Sequence, residues 1–141
     1  MVGDVRAVGW ARRLPVSAGV RAGRVWARQH LETLGWERDA PEMADAVVLA
    51  VSELLTNSHV HAHSDAELAL AWDGRCLHLS VHDHSRLLPL RRAADSDALG
   101  GRGLALVEAV ADHWHAHPEP DGKTVTACFH HPSAIHGPLA S

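Results

Sequence analysis

Residues 66–72 and 75–82 alternate apolar and polar side chains on either side of Asp73-Gly74. A period of two marks a half-buried strand, and Asp-Gly suits the tight turn of a hairpin. This hairpin commits the chain to antiparallel pairing, and the segments around it must cover one face of the sheet. Residues 5–14 read as an edge strand ended by Pro15. Ser17 can cap a helix over about 18–34, where Val20, Val25, Trp26, His30, Leu31 and Leu34 recur at helical spacing. Gly35 stands where a left-handed cap closes a helix. Pro41 suits the first turn of a second helix over about 41–61, with Glu42 and Asp45 near its positive end.

Residues 84–99 have no clear period and read as a loop; connections of that length are usually functional or mobile. Gly100-Gly101-Arg102-Gly103 opens a third helix through Leu104, Leu106, Val107, Val110 and Ala111. Strands over 113–118 and 123–129, joined at Asp121-Gly122, complete the order β-α-α-β-β-loop-α-β-β. Helices do not alternate with strands, so a doubly wound sheet is disfavoured. The order predicts an α+β two-layer sandwich: a mixed, mostly antiparallel sheet of about five strands with three helices on one face. The 141 residues suit a single domain over 1–132 with a loose tail over 133–141.

Composition narrows the function classes. A net charge of -4 gives no general reason to expect nucleic-acid binding. The apolar runs are too short to span a bilayer, and the start of the chain lacks a secretory layout, so a cytoplasmic location without membrane contact is expected. Cys76 and Cys128 both fall in strand-like segments and read as small buried hydrophobes in a reducing compartment. Lys123 is the only lysine among many arginines.

On a wheel of the second helix, Met43, Ala46, Val47, Ala50, Val51, Leu54 and Leu55 form one apolar arc. Asn57 falls inside that arc, Glu53 lies at its edge, and His61 continues the row. Four residues is just over one turn, so Glu53 and Asn57 point the same way. An unpaired amide in a core-facing stripe costs about 1–3 kcal/mol, so Asn57 must meet either protein hydrogen bonds or a cavity. From this helix alone the plainer reading, a satisfied amide and a surface acid, is favoured. Asp83 closes an alternating strand, which ordinarily marks a turn. The glycines at 100–103 leave backbone N–H groups and a positive dipole end free to hold phosphate. No Lys-Ser/Thr follows them, so they are not a P-loop.

In order and spacing, three stretches resemble the GHKL (Bergerat-fold) ATPases. They are Val51-Ser52-Glu53-Leu54-Leu55-Thr56-Asn57-Ser58-His59-Val60-His61-Ala62, Val81-His82-Asp83-His84-Ser85 and Gly100-Gly101-Arg102-Gly103-Leu104-Ala105-Leu106-Val107. A closing strand, Gly122-Lys123-Thr124-Val125-Thr126-Ala127-Cys128-Phe129, makes a fourth. The likeness covers roughly residues 10–130, in particular to the branch of anti-sigma-factor serine kinases and short ATP-binding regulators of actinomycetes.

The resemblance implies Asn57 as the Mg²⁺ ligand and Glu53 as the general base on a serine hydroxyl. It implies Asp83 as acceptor for the adenine amino group, with Thr124 supporting the adenine end. Gly101, Arg102, Gly103 and Leu104 would meet the phosphates, His61 and Ser85 would complete the ATP/ADP contacts, and residues 84–99 would be a lid. The implied partners are a STAS-type anti-sigma antagonist and a sigma factor, with homodimerisation and no direct nucleic acid. One position departs from many relatives: no glycine follows Asp83, where His84-Ser85-Arg86-Leu87 stands.

Two alternatives remain: a non-catalytic nucleotide-binding or interaction module of the same fold, and a His-rich metal-binding protein. The chain holds 13 histidines, and His59 and His63 have helical i, i+4 spacing. No cysteine joins them, which disfavours a structural metal centre.

Overall fold

The computed structural model describes residues 8–85 and 100–131, with the side chains of 100–104 outside that description. The chain begins with strand β1 (Val8–Leu14), turns through a 3-10 segment (Val16–Ala18), and enters helix α1 (Gly19–Leu34). A short helix α2 (Trp36–Asp39) leads to α3 (Pro41–Thr56), which continues as a π-helical turn over Asn57–His61. The hairpin β2 (Ala66–Trp72) and β3 (Cys76–Asp83) follows. Helix α4 (Gly100–Val110) precedes the final strands β4 (His113–Glu119) and β5 (Gly122–His130).

The described strands form one sheet in the order β1-β2-β3-β5-β4. All four pairings are antiparallel, where a mixed sheet was expected. The antiparallel partner β5 lies between β3 and β4, which therefore run parallel without touching. A fourth helix, α2, also adds to the expected three. It forms because Trp36, directly after the Gly35 cap, is buried in the core, and Ala40 N–H closes the turn on the Trp36 carbonyl at 2.8 Å.

Strand alternation sets the two faces. Leu68 and Leu70 of β2, Leu77, Leu79 and Val81 of β3, and Val125, Ala127 and Phe129 of β5 are buried under the helices. Helix α3 is the middle helix: Val47, Ala50, Val51, Leu54 and Leu55 are buried, and both α1 and α4 pack on it. Gly23 makes the α1–α3 approach possible, since a Cβ there would overlap the Leu55 side chain. Gly35 closes α1 in the left-handed conformation (φ 83°) with its N–H on the Glu32 and Leu31 carbonyls, as expected. Arg28 ties the three helices outside the core, donating to Glu37 at 2.9 Å and to Asp45 at 3.0 Å.

In the hairpin, Asp73 Oδ1 accepts from the N–H groups of Arg75 and Cys76, both at 2.9 Å, with Gly74 at φ 97°. These two backbone bonds, and then the His78 ring, hold the Asp73 carboxyl down at about 2. Both cysteines are free thiols, raised by burial. No described helix is long and apolar enough to cross a membrane. The expected lid beyond Ser85 and the tail from 133 lie outside the described residues.

Candidate functional site

The end of α3, the end of β3 and the start of β5 meet beside α4, and most of the sequence candidates gather there. Glu53 lies in the last turn of α3 and Asn57 opens the π turn. Both are half-buried, and neither side chain makes a hydrogen bond or ion pair with any described residue. A carboxylate and a carboxamide oxygen one turn apart and uncommitted fit a hard cation or a proton acceptor.

The π turn alters which polar groups turn inward. Ala62 N–H bonds to the Asn57 carbonyl at 2.9 Å, five residues back. A π turn holds more residues than an α turn, so side chains beyond Asn57 rotate away from the positions an α-helical wheel assigns. The buried row therefore runs through Leu54 and Leu55 to Ser58 and His59, whereas Asn57 sits at its margin and His61 is exposed. His59 Nε2 is 3.0 Å from the Leu14 carbonyl, so this ring anchors the turn to β1. Its Nδ1 is buried with no partner among the described residues. His63 is exposed, so His59, His61 and His63 do not converge on a metal.

Asp83 is the most enclosed of the candidates, at 2 % exposed. Its carboxylate is held from three elements. Lys123 Nζ donates to Oδ1 at 2.8 Å and to Oδ2 at 2.9 Å. Ser58 Oγ donates to Oδ2 at 2.7 Å, and the Ser85 N–H donates to Oδ1 at 3.0 Å. Lys123 is itself 5 % exposed and lies directly opposite Asp83 in the β3–β5 register. The two strands close on each other because of Gly122, where a Cβ would collide with the Asp83 carbonyl.

Thr124 does not join this group. It shares strand parity with Thr126 and Cys128, not with Val125 and Phe129, and so lies on the open face of the sheet. There it donates to Glu119 Oε1 at 2.8 Å and lies 3.0 Å from His82 Nδ1. The residue that reaches Asp83 from β5 is Lys123, to which neither periodicity nor motif assigns a role. Its parity with Phe129, the most apolar position of the strand, was the available signal. Ser58 was hidden by the assumption of an unbroken α-helix.

Helix α4 opens on Gly100-Gly101-Arg102-Gly103 and packs along α3 and against the π turn. Its first-turn N–H groups have no intrahelical acceptors, which suits phosphate. The side chains of Arg102 and Leu104 lie outside the described set. On the open face, two groups bring donor atoms within 4.8 Å of one another: Asp73, Cys76 and His78, and His82, His84 and Asp121. Protein hydrogen bonds already engage members of both, including His78 to Asp73 at 3.2 Å and His82 to Thr124.

The site suits a magnesium nucleotide in part. The oxygens of Glu53 and Asn57, unpaired among the described residues, and the start of α4 suit the metal and phosphate end. At the base end, Asp83 has the right chemistry for an amino group but is already occupied by protein donors.

Comparison with known proteins bears on the same residues. The chain is similar to the histidine kinase domain from the Erythrobacter litoralis EL346 blue-light activated histidine kinase, with 23% identity and a TM-score of 0.50. The similarity covers 67% of this chain and 48% of that one, so this chain spans about half of that neighbour's length. At that identity the likeness speaks for the fold. No match is found among curated proteins. Residues 17–129, which include Glu53, Asn57, Asp83 and Lys123, match the histidine kinase-like ATPase domain, and the chain belongs to that family.

Proposed function

We propose that the chain is an ATP-binding regulatory protein of the anti-sigma type, acting as a serine kinase on a STAS-type antagonist and sequestering a sigma factor. The observation that carries the nucleotide part is the pair Glu53 and Asn57. They are half-buried and without a hydrogen-bond or ion-pair partner among the described residues, at the end of a helix that packs against α4, which opens on glycines. The antagonist and the sigma factor follow from the resemblance of the motifs to that branch.

In this reading the Asn57 side-chain oxygen holds Mg²⁺, and the N–H groups opening α4 hold the phosphates. ATP, when bound, supplies a transferable γ-phosphoryl group whose charge Mg²⁺ screens. Glu53 accepts the proton of the incoming serine hydroxyl as its oxygen bonds to the γ-phosphorus and the bond to ADP breaks. Asp83 accepts from the adenine amino group. Release and capture of protein partners, as a homodimer, would be the output.

A second reading, a module that has kept the fold but not the transfer step, is favoured by one observation. The Asp83 carboxylate is closed off by Lys123.

Calorimetry tests nucleotide binding, and transfer to an antagonist serine separates the two readings. Mg-ATP should release heat with the native sequence and bind at least about tenfold more weakly to Asn57→Ala. No heat with either the native sequence or Lys123→Met overturns the nucleotide reading. Glu53→Ala should keep its ATP affinity within about threefold yet lose about 10²-fold or more in transfer to an antagonist serine, the usual contribution of a general base. Equal transfer by that variant assigns the base elsewhere.

A further inference from the structure

The Lys123–Asp83 pair stands out because the chain spends its single lysine on a buried position. Burying an ion pair costs desolvation of both charges, and a hydrophobic pair of similar volume often serves stability as well. The position therefore calls for an account beyond holding two strands together.

A carboxylate offers about four acceptor directions. On Asp83 all four are filled: Oδ1 by Lys123 Nζ and Ser85 N–H, Oδ2 by Lys123 Nζ and Ser58 Oγ. A further N–H donor must displace one of them. The Ser85 donor belongs to the backbone, and the Ser58 hydroxyl is held on a short side chain at a buried position of the π turn. Lys123 alone reaches Asp83 on a long stem with several rotatable bonds. It also delivers two of the four contacts, so its departure frees one direction on each oxygen.

We infer that Lys123 is an intramolecular competitor at the base-binding end of the site, its ammonium holding the place on Asp83 that the amino group of a nucleotide base takes. This rests on the nucleotide reading above and adds a regulation of it. Apparent affinity equals intrinsic affinity scaled by the fraction of molecules in which Asp83 is free. If the ammonium leaves about one time in a hundred, binding weakens about a hundredfold. Bases without an exocyclic amino group lack the donor that takes this place, so the competitor acts chiefly on amino-bearing bases.

The direction of the effect makes the test sharp. On charge alone, removing a cation should weaken binding of a polyanionic triphosphate. Competition predicts the reverse. The full chain and its Lys123→Met and Lys123→Thr variants would be titrated calorimetrically with Mg-ATP and with Mg-ITP, whose base carries a carbonyl in place of the amino group. Both variants should bind ATP about tenfold or more tightly than the native sequence, with ITP affinity moving by less than about threefold. Unchanged or weaker ATP binding by the variants overturns the competitor. Equal tightening for ITP overturns its link to the amino group. Binding of neither nucleotide by any of the three proteins sinks the nucleotide reading itself.

Should the variants fail to fold, the native chain still decides. With ¹⁵N-labelled lysine it gives one side-chain ammonium resonance, protected from exchange by burial. Saturating ATP should shift that resonance or abolish its protection. A resonance unmoved by bound ATP overturns the proposal.

Discussion

Asp83 shows what one side chain owes to three elements. Its carboxylate is reached by β5 through Lys123, by the π turn through Ser58 and by its own strand end through Ser85. Truncating one member of a buried pair costs about 3–5 kcal/mol, mainly because the other charge is stranded. Asp83→Ala should therefore destabilise by about that much in urea denaturation, and adding Lys123→Met should recover at least half of the loss. Strictly additive losses would show that the two residues do not depend on each other. Of this constellation the sequence made Asp83 visible, because it ends a clean alternation. Lys123 was equally visible by parity with Val125 and Phe129, but parity tells only which face a side chain takes. The register, which places Lys123 opposite Asp83, comes from the pairing of β3 with β5 and is not local information.

Among the elements, the helices and strands with strong periodicity were legible to within a residue or two. The β2–β3 hairpin and the Gly35 cap of α1 are the clearest cases, since a turn dipeptide and a left-handed glycine act through nearest neighbours. The π turn was not legible. Nothing in Asn57-Ser58-His59-Val60-His61 announces a wider turn, which is fixed by buried partners distant in sequence, Leu14 and Asp83. The contact of β1 with α1 carries its own titration. His30 stacks on Trp10 at 4.2 Å and meets the edge of Trp26 at 4.8 Å. Burial there lowers its pKa from the ordinary 6.5. The unfolded chain then binds the proton more readily than the folded one. The stabilisation is present above 6.5 and is lost as the pH falls through that value toward the lowered one. The native chain should lose more stability than His30→Phe between about pH 8 and about pH 5, because the variant keeps a ring and cannot charge. Parallel losses in denaturation midpoints would leave His30 without this role.

At the scale of the whole molecule, one layer of helices covers one face of the sheet, and a single contiguous core joins α1, α3, β3 and β5. The architecture was readable from the order of periodicities, while the all-antiparallel pairing required knowing that β5 inserts between β3 and β4. That insertion places Phe129, the only phenylalanine, fully buried on a central strand whose other end carries Lys123. Core and site thus share β5, and damage to one should be felt at the other. Phe129→Ala removes a large buried side chain at a cost of about 3–5 kcal/mol, a sizeable share of the roughly 5–15 kcal/mol typical of a domain. Tryptophan fluorescence and far-ultraviolet circular dichroism should follow one coincident urea transition, moved to lower denaturant in the variant with an unchanged slope. The buried Trp36, in edge contact with Trp72 at 5.6 Å, reports on the end of the sheet away from Asp83. Two separated transitions would mean that the Trp36 end and the Asp83 end unfold independently, and the coupling of core to site through β5 would then fail.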